Sequence, residues 1–143
     1  MAFNILNLEE NVNNATVTRT AKIWLDEKEG IVVAIYTPGA EETLEDAKMN
    51  IAAAENLCAD KKRPIFIKGP HKSMTRDARI YYTEKAPHFI SAIAIISNSA
   101  FVKILGYFLL TLNKTINQDK FPVHFFTSEE EAIQWLRTYV NKI

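Results

Sequence analysis

The sequence predicts an α/β domain: an opening β-hairpin followed by β-α repeats, giving a mixed, mostly parallel sheet with four helices. Three observations carry this. Short β-rich runs alternate along the chain with segments of helical period. The run Phe89–Ser97 is apolar almost without interruption, as a strand covered on both faces by helices would be. The 143 residues are 48% hydrophobic and 24% charged, an ordinary balance for a chain that buries one core and needs no covalent staples.

Residues 1–20 hold Asn4, Asn7, Asn11, Asn13 and Asn14 and read as a tail or a loosely docked edge strand, so the domain is expected over 21–143. Ala21–Asp26 and Ile31–Tyr36 flank Glu27-Lys28-Glu29-Gly30 as a hairpin, and Pro38-Gly39 ends the second strand. A helix follows from about Thr43 to Asp60. Its apolar stripe is Leu44, Ala47, Ile51, Ala54 and Cys58, Thr43 with Asp46 resembles a capping box, and Lys61, Lys62 and Arg63 complement its C-terminal end. Pro64–Ile67 is the next strand, stopped by Gly69-Pro70. A second helix runs from about Thr75 to Glu84, with Thr75 as its N-cap. After the buried strand at 89–97, Asn98 or Ser99 caps a third helix that reaches about Asn113. Phe121–Phe126 is the last strand. Thr127 or Ser128 caps a final helix with a core stripe of Ala132, Ile133, Trp135, Leu136, Tyr139 and Val140.

Composition narrows the function classes. The 17 basic and 17 acidic residues cancel, so no global field recruits nucleic acid or a membrane surface. No apolar stretch is long enough to span a bilayer. One cysteine, Cys58, excludes an intramolecular disulfide framework, and with no signal-like N-terminus the expected location is the cytoplasm. Cys58 sits on a core stripe and reads as an inert buried thiol. The three histidines share no metal-ligand spacing, and no nucleophile elbow or glycine-rich phosphate loop occurs. No cofactor is expected. His124 alternates with Val123 and Phe125, which gives it a structural place on the opposite face of the sheet.

The neutral total conceals an asymmetry. Residues 1–60 carry 11 acidic and 4 basic side chains, whereas 61–85 carry 8 basic ones against Asp77 and Glu84. In a parallel sheet the loops after the strands gather at one edge, where helix N-termini point. Lys68, His71, Lys72, Ser73, Thr75 and Arg76 fall in such a loop and form the candidate binding surface for a small anion or a protein partner.

Phe121-Pro122-Val123-His124-Phe125-Phe126-Thr127-Ser128, followed by Glu129-Glu130-Glu131-Ala132-Ile133-Gln134-Trp135-Leu136, resembles the closing segment of STAS-like proteins, the group of the anti-anti-sigma factors. The likeness is to a bacterial branch of uncharacterised STAS/SEC14-like proteins, is supported by Ala94–Asn113, and covers about residues 20–141. It implies a STAS-like fold and a non-enzymatic regulatory or protein-interaction module. Regulatory members carry a phosphorylatable Ser in an Asp-Ser-x-Gly motif. Here Lys68-Gly69-Pro70-His71-Lys72-Ser73-Met74-Thr75-Arg76 lacks the Asp and the Gly, so that switch is not expected. The alternative function is a binder of a phosphate, nucleotide or lipid headgroup through the 68–76 loop. A homodimer is expected through Val102, Gly106 and Leu110, a second stripe on the third helix at four-residue spacing.

Overall fold

The computed structural model describes residues 15–69, 71–96 and 122–140. In chain order the elements are β1 (Thr16–Val17), β2 (Ala21–Asp26), β3 (Ile31–Tyr36), β4 (Ala40–Glu42) and α1 (Leu44–Cys58). There follow β5 (Arg63–Lys68), β6 (His71–Met74), α2 (Arg76–Lys85) with a 3-10 turn (Ala86–His88), β7 (Ile90–Ile96), β8 (Val123–Phe126) and α3 (Glu129–Val140). Six strands form one sheet in the order β1-β2-β3-β5-β7-β8, and β4 pairs with β6 in a second, two-stranded sheet. β1, β2 and β3 are antiparallel neighbours, while β3, β5, β7 and β8 run parallel. The α/β class and the mixed, mostly parallel sheet are therefore as the sequence predicts, and β2 and β3 have the expected bounds. The helix expected from about residue 99 to Asn113, with Val102, Gly106 and Leu110, lies outside the described residues.

Strand alternation divides the core in two. Ile23, Val32, Ala34, Tyr36, Ile65, Ile93 and Ile95 face one side and pack with Ala47, Ile51, Ala54 and Cys58 of α1 and Ala78 and Tyr82 of α2. Trp24, Ile31, Val33, Phe66, Ala92 and Ala94 face the other and pack with Ala132, Ile133 and Leu136 of α3. His124 lies on this second face, 4.8 Å from the Trp135 ring. Arg137 of α3 grips Glu29 in the hairpin turn through two bonds of 2.8 and 2.7 Å.

Caps set the helix starts. Thr43 and Asp46 form the reciprocal capping box of α1. The Thr75 side chain accepts from the Ala78 N–H, and Ser128 Oγ accepts from the Glu131 N–H at 3.2 Å.

Residues 15–20 dock at the edge of the sheet: Val17 pairs with Lys22, Arg19 Nε donates to Asp46 Oδ1 at 2.8 Å, and Thr18 Oγ1 donates to Asn50 Oδ1 at 2.6 Å. Thr18 and Arg19 supply these contacts, whereas Asn4, Asn7, Asn11, Asn13 and Asn14, which carry the tail reading, lie outside the described residues. Past the last turn of α1 the Lys61 N–H donates to the Cys58 carbonyl at 3.1 Å. The chain reverses at Ala59 and Arg63 departs along β5, where its Nη1 donates to the Gly30 carbonyl. Residues 71–74 of the supposed 68–76 loop are strand β6, paired in parallel with β4 through Ser73–Glu41 and Met74–Glu42.

Candidate functional site

A cavity of about 60 Å³ lies between the first face of the sheet and helices α1 and α2. Its walls are aliphatic, with Ile65 and Ile67 from β5, Ile93 and Ile95 from β7, and Ile51 and Ala54 from α1. One end is polar, where Tyr36, Asn50 and Tyr82 line it.

Behind these three stands Glu42, only 1% exposed. Tyr82 donates its hydroxyl proton to Glu42 Oε2 at 2.7 Å, and Thr20 Oγ1 donates to the same oxygen at 3.1 Å. Asn50 Nδ2 lies 2.6 Å from that oxygen, 2.9 Å from Thr20 Oγ1 and 3.0 Å from the Tyr82 hydroxyl. Tyr36 and Tyr82 are also hydrogen-bonded to each other. Burial, reinforced by Glu42, raises the pKa of both phenols well above the ordinary tyrosine value, so both hydroxyls stay protonated at neutral pH.

Local sequence explains how each group arrives. β4 alternates buried Ala40, exposed Glu41 and buried Glu42, so the last strand residue points inward just before the Thr43 cap. Asn50 lies one turn beyond Asp46 and one before Ala54 on the buried side of α1. Tyr82 follows Ala78 by one turn on α2, and Tyr36 continues the inward series Val32, Ala34. Gly69, with φ +135°, passes so close to Tyr36 that a Cβ there would meet the Tyr36 carbonyl oxygen at 2.9 Å. A side chain at position 69 would displace the strand end that carries Tyr36.

The residues singled out from sequence lie at the end of β5, in β6 and at the start of α2. Lys68 Nζ bonds Glu129 Oε2 at 2.9 Å, so a strand end and a helix N-terminus do meet at this edge, with the cation paired to an internal carboxylate. Thr75 is the cap of α2, Ser73 belongs to β6, and Arg76 is exposed in the first turn of α2. The backbones of His71 and Lys72 also lie in β6. Cys58 is fully buried, and desolvation pushes its thiol up to about 11, as an inert packing residue requires. Sequence reading missed the cluster around Glu42 altogether. The available signal was a Glu in strand alternation directly before a helix cap.

A family model described as a domain of unknown function (DUF7793) matches residues 23–140. No curated protein and no solved structure matches the chain.

Proposed function

The chain belongs to the DUF7793 family, and from the geometry of its own residues we propose that it is a non-enzymatic regulatory module whose input is a small molecule held between the helices and the sheet. The cavity carries this reading: it is a lined, aliphatic chamber with a hydrogen-bonding end, the arrangement of small-molecule sites generally. The buried ionisable groups described here have structural work, which favours binding over chemistry. Glu42 ties α1, α2 and β4 together, Asp46 completes a cap and an ion pair, and Cys58 packs. The STAS-like resemblance of the sequence agrees with a regulatory role exercised through protein contacts. The accompanying proposal of a homodimer through Val102, Gly106 and Leu110 is tested by light scattering, where Leu110→Glu should convert a dimer into a folded monomer. No helix among the described residues is long and apolar enough to cross a membrane.

A thermal-shift panel tests the reading, because a ligand that binds only the folded state raises Tm. Small neutral organic molecules should raise Tm of the natural chain and not of Ala54→Leu, in which a larger side chain fills the chamber. Equal shifts in both proteins, or none in either, would refute it. Phosphate and nucleotides in the same panel address the competing anion site. A shift lost in Lys72→Glu with Arg76→Glu would favour that reading.

A further inference from the structure

Resting on the reading of the cavity as a ligand site, we infer that its occupant is a purely apolar group, a compact hydrocarbon that makes no hydrogen bond to the protein. Size is the first argument. At ~10–15 Å³ for each water-sized group, a cavity of about 60 Å³ takes roughly four to six non-hydrogen atoms. The aliphatic walls match such a group and offer it dispersion contacts alone.

The hydrogen-bonding groups of the lining are committed to the protein itself. Among the described lining residues only Tyr36, Asn50 and Tyr82 carry polar side chains. Tyr82 gives its one proton to Glu42 Oε2 at 2.7 Å, so the bond between the two tyrosines uses the Tyr36 proton. The Tyr82 hydroxyl also accepts from Asn50 Nδ2 at 3.0 Å, which together with Tyr36 fills both of its acceptor positions. Asn50 Nδ2 has three oxygens within 3.0 Å, and Asn50 Oδ1 accepts from Thr18 Oγ1 at 2.6 Å. The backbone of the walls is committed as well. β5 and β7, which carry Ile65, Ile67, Ile93 and Ile95, each have a hydrogen-bonded neighbour on both sides. A polar ligand would shed its water without gaining a partner, and an ion would do so against aliphatic walls. A hydrocarbon meets neither penalty.

Three probes of matched size separate the cases: cyclopentane, tetrahydrofuran as a hydrogen-bond acceptor and cyclobutanol as a donor. Each is titrated into the full chain while isoleucine methyl resonances are followed by NMR. Cyclopentane should shift the methyls of Ile51, Ile65 and Ile93 saturably and leave those of Ile31 and Ile133, in the other core, in place. It should bind roughly ten-fold or more tightly than either polar probe, because each of those buries a group without a partner. Ala54→Leu, which fills the chamber, should abolish the saturable shift, with its folded methyl spectrum as the control. The comparison of probes in the natural chain stands without that variant. Sodium octanoate, as a fourth probe, identifies the source of the hydrocarbon. The same shifts would place the end of a longer chain in the chamber, whereas no effect would leave a free hydrocarbon as its ligand, and either supports an apolar occupant. Tetrahydrofuran or cyclobutanol binding as tightly as cyclopentane would overturn the apolar assignment and leave the cavity standing as a binding site. Saturable binding by none of the four would overturn both.

Discussion

The Tyr82 hydroxyl donates to Glu42 Oε2 at 2.7 Å across 40 positions of sequence. This bond joins the middle of α2 to the last residue of β4, and through Asn50 it reaches α1 as well. Three donors converge on one oxygen of this buried carboxyl group, which offsets part of the cost of its burial, and the same contacts hold two helices over the cavity.

Removing parts of this cluster should therefore cost stability in a definite order. Tyr82→Phe deletes one donor to a buried oxygen and should lower unfolding free energy by about 1–3 kcal/mol. Glu42→Ala strands Thr20, Asn50 and Tyr82 together and should cost more, about 3 kcal/mol or above. Urea unfolding followed by circular dichroism measures both. A smaller loss for Glu42→Ala than for Tyr82→Phe would contradict the cluster's role.

The pairing of Arg19 with Asp46 predicts an acid-side dependence. The Arg19 hydrogen bond, with the Thr43 contacts, lowers the Asp46 carboxyl from 3.8 to about 2. Its folded pKa lies below its unfolded value, so the contribution is complete above about pH 4 and disappears as pH falls through about 2. With Arg19 largely exposed and screened, the contribution is about 1–2 kcal/mol. Asp46→Asn should lose that amount at neutral pH, and the natural chain and the variant should converge as the pH approaches 2 in acid unfolding curves.

Cys58 should be silent in the folded protein. Its thiol is fully buried and pushed up to about 11, so the thiolate is scarce at neutral pH. A thiol-reactive chromophore should label it at the rate of unfolding, and addition of denaturant should release the full stoichiometric signal. Rapid labelling under native conditions would show that the thiol is accessible.

Ala59 ends α1 with φ 56° and ψ −120°, a conformation suited to glycine, while its N–H donates to the Glu55 and Asn56 carbonyls. Relief of that strain should make Ala59→Gly more stable by about 1 kcal/mol, even though glycine loses more backbone entropy on folding. Thermal unfolding should show a higher Tm.

The hairpin strands, the Thr43–Asp46 cap, the buried strand β7 and the stripe of α3 were determined by the sequence itself. Each is written within about fifteen residues, as alternation, helical period or a capping pair, and such signals survive whatever packs against them. The tertiary structure alone decided the β4–β6 pairing, the docking of Thr18–Thr20 and the partner of Lys68. A strand reading His71-Lys72-Ser73-Met74 has no local period of its own and exists because Ala40–Glu42 lies beside it. The same holds for the Glu42 site, where donors 8, 22 and 40 positions away converge on one oxygen. Burial of a carboxyl group is legible only once the folded chain has brought those donors together, because without them water would remain its better partner.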